Sequence, residues 1–437
     1  MENCVYIVGA GLAGCEAAYT LAQRGIKVKL FEMKPDNKSP AHKSENLAEL
    51  VCSNSLKAER TESAAGLLKA EMRKLGSLCL KAADTCRVPA GGALAVERNA
   101  FSEYITEKIK SNKNIELICS RVEEIPKDKT VIIATGPLTD ETLAKNIQNM
   151  LGAEYLSFYD AAAPIVDKDS IDMSRAFFAD RYGRGSGEDY INCPLNKEEY
   201  EKFHFELSNA ERAELKDFDK KISVYECCMP IEILASRGAD TMRFGPMKPV
   251  GLTDPATGHR PYAVLQLRRE NACGSMYNLV GFQTNLKFSE QKRVFSIIPA
   301  LKNADYLRYG VMHRNNFINS PKLLNPNLSL RSNKNIFFAG QISGVEGYME
   351  SAACGIMAGI NVAAQIKGEK EFILPKTTMI GALIGYITNP VTEKFQPMGA
   401  NFGIIPALDA RIKDKKERYG QLAKRALETI SCYIEEM

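Results

Sequence analysis

The opening run CVYIVGAGLAGCEAAYTLAQRGIKVKLFE constrains the fold more than any other stretch of this chain. Val5 to Val8 is a continuous apolar run that reads as a buried strand, and it feeds directly into Gly9-x-Gly11-x-x-Gly14. Gly9 permits the tight turn, Gly11 lets the backbone approach a pyrophosphate, and Gly14 lets the following helix, roughly Ala13 to Gln23, lie close on the sheet. With Ala10, Leu12 and Ala13 these residues form the loop and first helical turn, whose N–H groups point at the phosphates. Arg24-Gly25 ends the helix, and Ile26 to Glu32 gives a second strand closing on the acid expected to accept hydrogen bonds from an adenosine ribose. Strand, glycines, helix, strand and terminal acid in one run predict an adenine-dinucleotide site in an α/β, Rossmann-like domain. The competing readings are a structural βαβ unit with a glycine-rich turn and a loop that holds S-adenosylmethionine.

Two later segments decide among the ligands. TVIIATGPL is an apolar strand followed by Thr135 and Gly136, and NIFFAGQISGVEGYMESAACG is another strand running into Gly340 and Gln341. Together they resemble the downstream strands of FAD-binding folds of the glutathione reductase type, which implies FAD as the tightly held ligand. In that resemblance the second turn lies beside the ribityl chain and flavin, and Gln341 stands where many such proteins carry aspartate. The long separation of these strands predicts a discontinuous FAD-binding domain, residues 1–154 and 331–437, with an α+β domain of residues 155–330 inserted between. The insert should hold a charged helix from Asn196 to Lys221, strands at Ser223 to Cys228 and Tyr262 to Leu267, and a loop rich in Asn and Pro from Asn315 to Asn333.

Composition sets outer limits. A chain of 437 residues, 45% hydrophobic and 25% charged, has room for two or three domains with a sizeable core. Net charge of +4 permits a polyanionic partner without demanding one. The 12 cysteines include no C-x-x-C pair and follow no recognisable signal peptide, which fits a reducing cytoplasm. The four histidines have no metal-ligand spacing, so no metal is expected. The apolar window Met379 to Ile387 is far short of the roughly 20 residues that cross a bilayer, so no membrane partner is expected. Between Arg411 and Arg425 seven basic residues face two acids, either a solvated helix face or a contact with a phosphate backbone.

Several further stretches carry a specific resemblance: HKSENLAELVCSNSLKAE, PAGGALAVER, ECCMPIEILASRGADTMRFGPMKPVGL, FFAGQISGVEGYMESAA and FQPMGANFGIIP. With GAGLAGCEAA they make the chain resemble, over essentially its whole length, the folate- and FAD-dependent tRNA uracil-5-methyltransferases. The resemblance implies methylation of the T-loop uridine of tRNA, with methylenetetrahydrofolate as carbon donor, reduced FAD as methylene carrier and reductant, and NAD(P)H as the source of electrons. A ribosomal RNA uridine is the alternative target of the same chemistry. Carbon-5 of uracil is a poor nucleophile, and addition of a thiolate at carbon-6 turns the ring into an enolate that attacks through carbon-5.

The family's two functional cysteines map to Cys52 in VCSNS and Cys228 in CCMP. Cys228 is taken as the nucleophile and Cys52 as the general base, with the reverse assignment still open. Cys227 stands where the family has glycine, and strand alternation would point it away from Cys228, as a packing residue. Lys57, Arg243 and Lys248 are candidate cations for thiolate formation. Tyr348 is expected at the flavin or folate, with Glu346 and Glu350 near it or simply at a helix start, and Arg98 on the folate glutamate tail, on RNA phosphate or at the surface. The competing functions are a flavin oxidoreductase acting on a small molecule and a non-catalytic, FAD-stabilised RNA-binding scaffold.

Overall fold

The computed structural model describes residues 4–39, 41–126, 128–152, 155–183, 185–213, 229–271, 273–392 and 395–436, with the side chains of 155–161 and 313–314 outside that description. The first apolar run is the strand Cys4–Val8, at the centre of a five-stranded parallel sheet. Its neighbours are Lys27–Glu32 and then Ile115–Cys119 on one side, and Val131–Ile133 and then Ile336–Phe338 on the other. Val131, Ile132 and Ile133 have no exposed surface, as expected of a parallel strand covered on both faces. The Rossmann-like α/β fold read from the sequence is therefore the fold observed.

The helix Leu12–Gln23 follows the glycine turn and packs along the helix Tyr348–Lys367. Small residues make that contact possible. A Cβ at Gly14 would lie 1.8 Å from the Gly9 carbonyl oxygen, and one at Gly355 would lie 2.2 Å from the Ala13 carbonyl oxygen. Two buried carboxylates fix further helices to this domain. Glu16 accepts from the amides of Leu78 (3.0 Å) and Cys79 (2.9 Å) at the start of Leu78–Thr85, and Glu71 accepts from Met379 (2.7 Å) and Ile380 (2.8 Å) at the start of Met379–Ile387. Each satisfies N–H groups that no intrahelical carbonyl can reach.

The middle of the chain builds a second, six-stranded sheet in the order Phe177–Phe178, Tyr190–Leu195, Ala263–Arg269, Met276–Leu279, Ile165–Asp167, Tyr306–Arg308, with antiparallel pairing throughout. It has its own apolar core, including Leu195, Phe203, Leu265, Phe282 and Phe295. A ribbon of Tyr155–Ala161 against Met312–Ile318 stands apart from both larger sheets.

Several local expectations needed correction. The helix expected from Asn196 to Lys221 is Lys197–Asn209, opened by a capping box between Asn196 and Glu199. Ala210 is already extended and Arg212 bridges to Leu286, while 214–221 lie outside the described residues. The expected strand Ser223 to Cys228 lies outside them too. The segment expected to be a loop from Asn315 starts inside a strand, because ladder pairing to Tyr155–Ala161 satisfies its backbone whatever its asparagine content.

The basic C-terminal segment also divides differently. Its helix is Lys415–Glu435, capped by Asp414, so Arg411 and Lys413 precede it. Arg425 donates to the carbonyls of Ala407 (3.0 Å) and Pro406 (2.5 Å), and the rings of Phe402 and Tyr419 stack 4.2 Å apart. The helix thereby fixes the FQPMGANFGIIP stretch, whose Met398 to Asn401 reach the cleft described next.

Candidate active site

The site begins where the parallel strands end. Glycine turns at Gly9, Gly136 and Gly340 follow three of them, so one groove runs along the carboxyl edge of the sheet, the usual ligand position in such folds. Gly9 has φ +98°, and a Cβ there would meet the Ala134 carbonyl oxygen at 2.6 Å. A Cβ at Gly11, by contrast, would meet nothing within 4 Å, so the space in front of the helix Leu12–Gln23 is open. Glu32 is oriented by the amides of Ala10 (2.9 Å) and Lys34 (3.2 Å), which leaves its carboxylate at the strand end where a ribose would lie. An open glycine edge, a helix N-terminus without a side-chain cap and an oriented acid together fit the adenosine diphosphate half of FAD.

Gly9, Ala10, Gly11, Leu12, Ala13, Glu32, Thr135, Gly136, Gly340, Gln341 and Tyr348 all line this groove, whereas Gly14 lies beneath it in the helix contact. The Thr135 and Thr139 hydroxyls are 2.7 Å apart, and the Gln341 amide donates to Glu346 at 2.8 Å. His42, missed in the sequence, also lines the groove; its ring bonds Ser39 at 2.6 Å and burial lowers its pKa. Its only sequence signal was membership of the HKSENLAEL stretch.

Beyond Gln341 and Tyr348 the groove meets an inner cleft of about 510 Å³ that reaches the second sheet. The stretch from Leu47 to Ser55 forms the connection. The Ala48 amide bonds the Ala10 carbonyl at 3.0 Å, and a few residues later Cys52 sits under Tyr348, the first residue of its helix. The Tyr348 hydroxyl oxygen accepts from the amides of Cys52 (2.8 Å) and Ser53 (3.2 Å) and lies 3.0 Å from the Cys52 sulfur. Both its lone pairs are committed to N–H donors, so its own proton points at the sulfur. Burial pushes the Tyr348 phenol well above its ordinary pKa, with the Cys52 charge adding to the effect, so the hydroxyl stays protonated and able to donate.

Three guanidinium groups surround this loop. Arg98 bonds the Leu50 carbonyl and pairs with buried Glu270 at 2.6 Å, Arg308 bonds the Val51 carbonyl, and Arg268 donates to Ser53 Oγ (2.8 Å) and Asn54 Oδ1 (3.1 Å). Burial draws the pKa values of Arg268 and Arg308 down, yet guanidinium remains charged at any physiological pH. All three interact electrostatically with Cys52 and were not among the cations named from the sequence. The Lys57 ammonium pairs with buried Glu350 at 2.8 Å, Arg243 lies 3.6 Å over the Tyr262 ring and pairs with Asp240, and Lys248 is exposed. Arg98 is likewise an internal strut and not a surface arginine.

Glu346 and Glu350 both line the inner cleft. Cys227 and Cys228 lie outside the described residues. The residues that follow them are buried, Met229 at 5%, and the Ile231 amide bonds the carbonyl of Gln283, which lines the cleft. Among the described residues no group of His, Cys, Asp or Glu is arranged to hold a metal, and no helix is long and apolar enough to cross a membrane.

A dinucleotide groove opening onto a thiol at the junction of two sheets defines a Rossmann-type protein of the two-sheet flavoprotein class. Comparison with known proteins narrows the class. Residues 4–370 match the family described as glucose inhibited division protein A. The protein named methylenetetrahydrofolate--tRNA-(uracil-5-)-methyltransferase TrmFO from Acetivibrio thermocellus is 58% identical over 99% of each chain, and that from Fusobacterium nucleatum is equally similar over the same shares. In fold, the form I crystal structure of Aquifex aeolicus GidA matches with a TM-score of 0.69 at 19% identity, covering 100% of this chain and 78% of that one. This chain belongs to the glucose inhibited division protein A family and, inside it, with the TrmFO proteins.

Proposed function

We propose that this protein is a folate- and FAD-dependent RNA methyltransferase that forms 5-methyluridine in the T-loop of tRNA. The observation that carries the reading is the Cys52 thiol, 3.0 Å from the Tyr348 hydroxyl, where the dinucleotide groove meets the inner cleft of a chain 58% identical to TrmFO proteins. FAD would be held by the glycine turn, Glu32, Thr135 to Gly136 and Gly340 to Gln341. Bound there, reduced FAD would supply the carrier for the one-carbon unit of methylenetetrahydrofolate and the reducing power that makes it a methyl group, with electrons from NAD(P)H.

The chain's own residues supply the rest. The Cys228 thiolate adds to carbon-6 of the uracil, and the resulting enolate is nucleophilic at carbon-5. Once carbon-5 carries the new carbon, the Cys52 thiolate removes the carbon-5 proton, and later collapse of the ring enolate expels the Cys228 thiolate. Tyr348 holds the charged form of Cys52 by donating to it, and Arg98, Arg268 and Arg308 offset its charge. The domain limits, residues 1–154 with 331–437 and an insert of 155–330, belong to the same reading. The parallel sheet draws strands from both ends of the chain, and the antiparallel sheet draws all of its strands from the middle. A reducing cytoplasmic location is also part of it, supported by a sequence whose 12 cysteines include no C-x-x-C pair.

The test has two arms. Transcripts of tRNA and ribosomal RNA are offered with either methylenetetrahydrofolate plus NAD(P)H or S-adenosylmethionine. Methyl transfer to tRNA is expected with methylenetetrahydrofolate plus NAD(P)H and no S-adenosylmethionine, and transfer from S-adenosylmethionine would overturn the proposal. With 5-fluorouridine at the target position a covalent protein–RNA complex should persist, because fluorine cannot leave as a proton. Cys228→Ala should abolish the complex, Cys227→Ala should leave it, and Cys52→Ala should still form it while losing turnover on normal RNA. A complex that survives in Cys228→Ala and vanishes in Cys52→Ala would exchange the two roles.

A further inference from the structure

Tyr182 is held in an unusual way. Its backbone is left-handed, φ +61° and ψ +23°, a conformation rare for a bulky side chain, and the residue is 57% exposed. The ring lies on Gly251, where an added Cβ would come within 2.8 Å of a ring carbon. The Tyr182 amide bonds the Gly251 carbonyl at 3.3 Å. An exposed aromatic ring kept in place by local strain and by a glycine beneath it calls for a functional explanation, because a merely solvated tyrosine needs neither.

Its position suggests one. Arg181 donates to Gln266 Oε1 at 2.7 Å and to the Val250 carbonyl at 2.9 Å. Gln266 and Arg268 are two residues apart on the strand Ala263–Arg269, so they project from the same face with a spacing of roughly 7 Å. Arg268 in turn holds Ser53, next to Cys52. The Tyr182 loop is therefore tied to the reactive loop through Arg181, the strand Ala263–Arg269 and Arg268. Lys248, exposed and three residues before Gly251, adds a cation, while the Asp180 and Asp189 carboxylates bind the amides of Gly187 and Gly91 within the protein.

We propose that Tyr182, seated on Gly251, is a stacking platform for an unpaired nucleobase of the RNA substrate, on the sheet whose Arg268 also holds the reactive loop. This rests on the RNA-methyltransferase reading above. A flat ring next to cations suits a polyanion carrying exposed bases, and stacking on any base requires no sequence-specific donor.

The experiment measures binding of a tRNA transcript and of a T-arm hairpin to the FAD-loaded protein across a salt series. Tyr182→Gly removes the ring and the backbone strain together, so it should melt no lower than wild type while binding RNA about tenfold more weakly. The slope of affinity against salt should not change, since a neutral ring displaces no counterions. Tyr182→Phe should bind as wild type does, and so should Phe205→Ala, which removes an exposed ring on a different helix. Unchanged RNA affinity in Tyr182→Gly would overturn the proposal. So would a rise confined to the KM of methylenetetrahydrofolate or NAD(P)H, which would give the ring to a small planar ligand. If wild type itself neither binds nor methylates tRNA, the functional reading fails first.

Discussion

At Cys52 one hydroxyl does two jobs that are easily confused. The Tyr348 oxygen fixes the loop by accepting two amides, and its proton is then left for the sulfur. Tyr348→Phe should therefore slow alkylation of Cys52 by iodoacetamide about tenfold, the loss expected for one hydrogen bond to a charged acceptor. Because burial holds the phenol pKa well above its ordinary value, the tyrosine stays protonated, and the wild-type advantage should be full where the thiol is mostly protonated and shrink toward one where it is ionised in both proteins. An advantage that persists undiminished after both thiols are ionised would mean that Tyr348 does not act by stabilising the thiolate. Neither role was legible beforehand: Tyr348 and Cys52 are 296 residues apart, and nothing near either one announces the other.

Among the elements, the strand Ser55–Ala58 shows how a cleft wall is braced from behind. Lys69, fully buried, donates to the carbonyls of Leu56 (2.7 Å), Ala58 (2.8 Å) and Ala65 (2.9 Å). Burial draws its pKa down to about 8, so at neutral pH it keeps all three protons, one for each carbonyl. Lys69→Met should cost about 3 kcal/mol by leaving those acceptors bare, read as a lower denaturant midpoint in equilibrium unfolding. The C-terminal helix makes a different prediction. Arg425 is spent on carbonyls, but Lys415 and Lys416 are exposed on the first turn. If that turn touches RNA phosphate, reversing both to glutamate should weaken tRNA binding and reduce the log–log salt slope by about 2. An unchanged slope would return the turn to a solvated face.

For the molecule as a whole, the reactive loop is also the joint between its two sheets. Arg98 and Tyr348 belong to the parallel-sheet part, Arg268 and Arg308 to the antiparallel sheet, and all four converge on residues 50–54. Asn54 adds a tie, donating to Arg269 at 2.9 Å and to Val96 at 3.1 Å. Arg268→Met should leave FAD content near wild type, because the glycine groove is remote from it, while turnover falls at least tenfold as Ser53 and Asn54 lose their partner. Loss of FAD together with activity would show instead that the joint also supports the groove.

What was readable without coordinates was local. The glycine turn, its helix and Glu32 fall within some thirty consecutive residues, where turn geometry, helical period and a strand-end acid act on each other directly. The cysteine motif was readable as a resemblance, although Cys228 lies outside the described residues. The tertiary structure alone decided the cations around Cys52 and the hydrogen bond from Tyr348, along with the early end of the helix at Asn209 and the place of the strand Met312–Ile318. Buried arginines and a phenol choose their partners by which distant carbonyls the packed sheets leave unsatisfied. That inventory exists only once loops from both sheets have met.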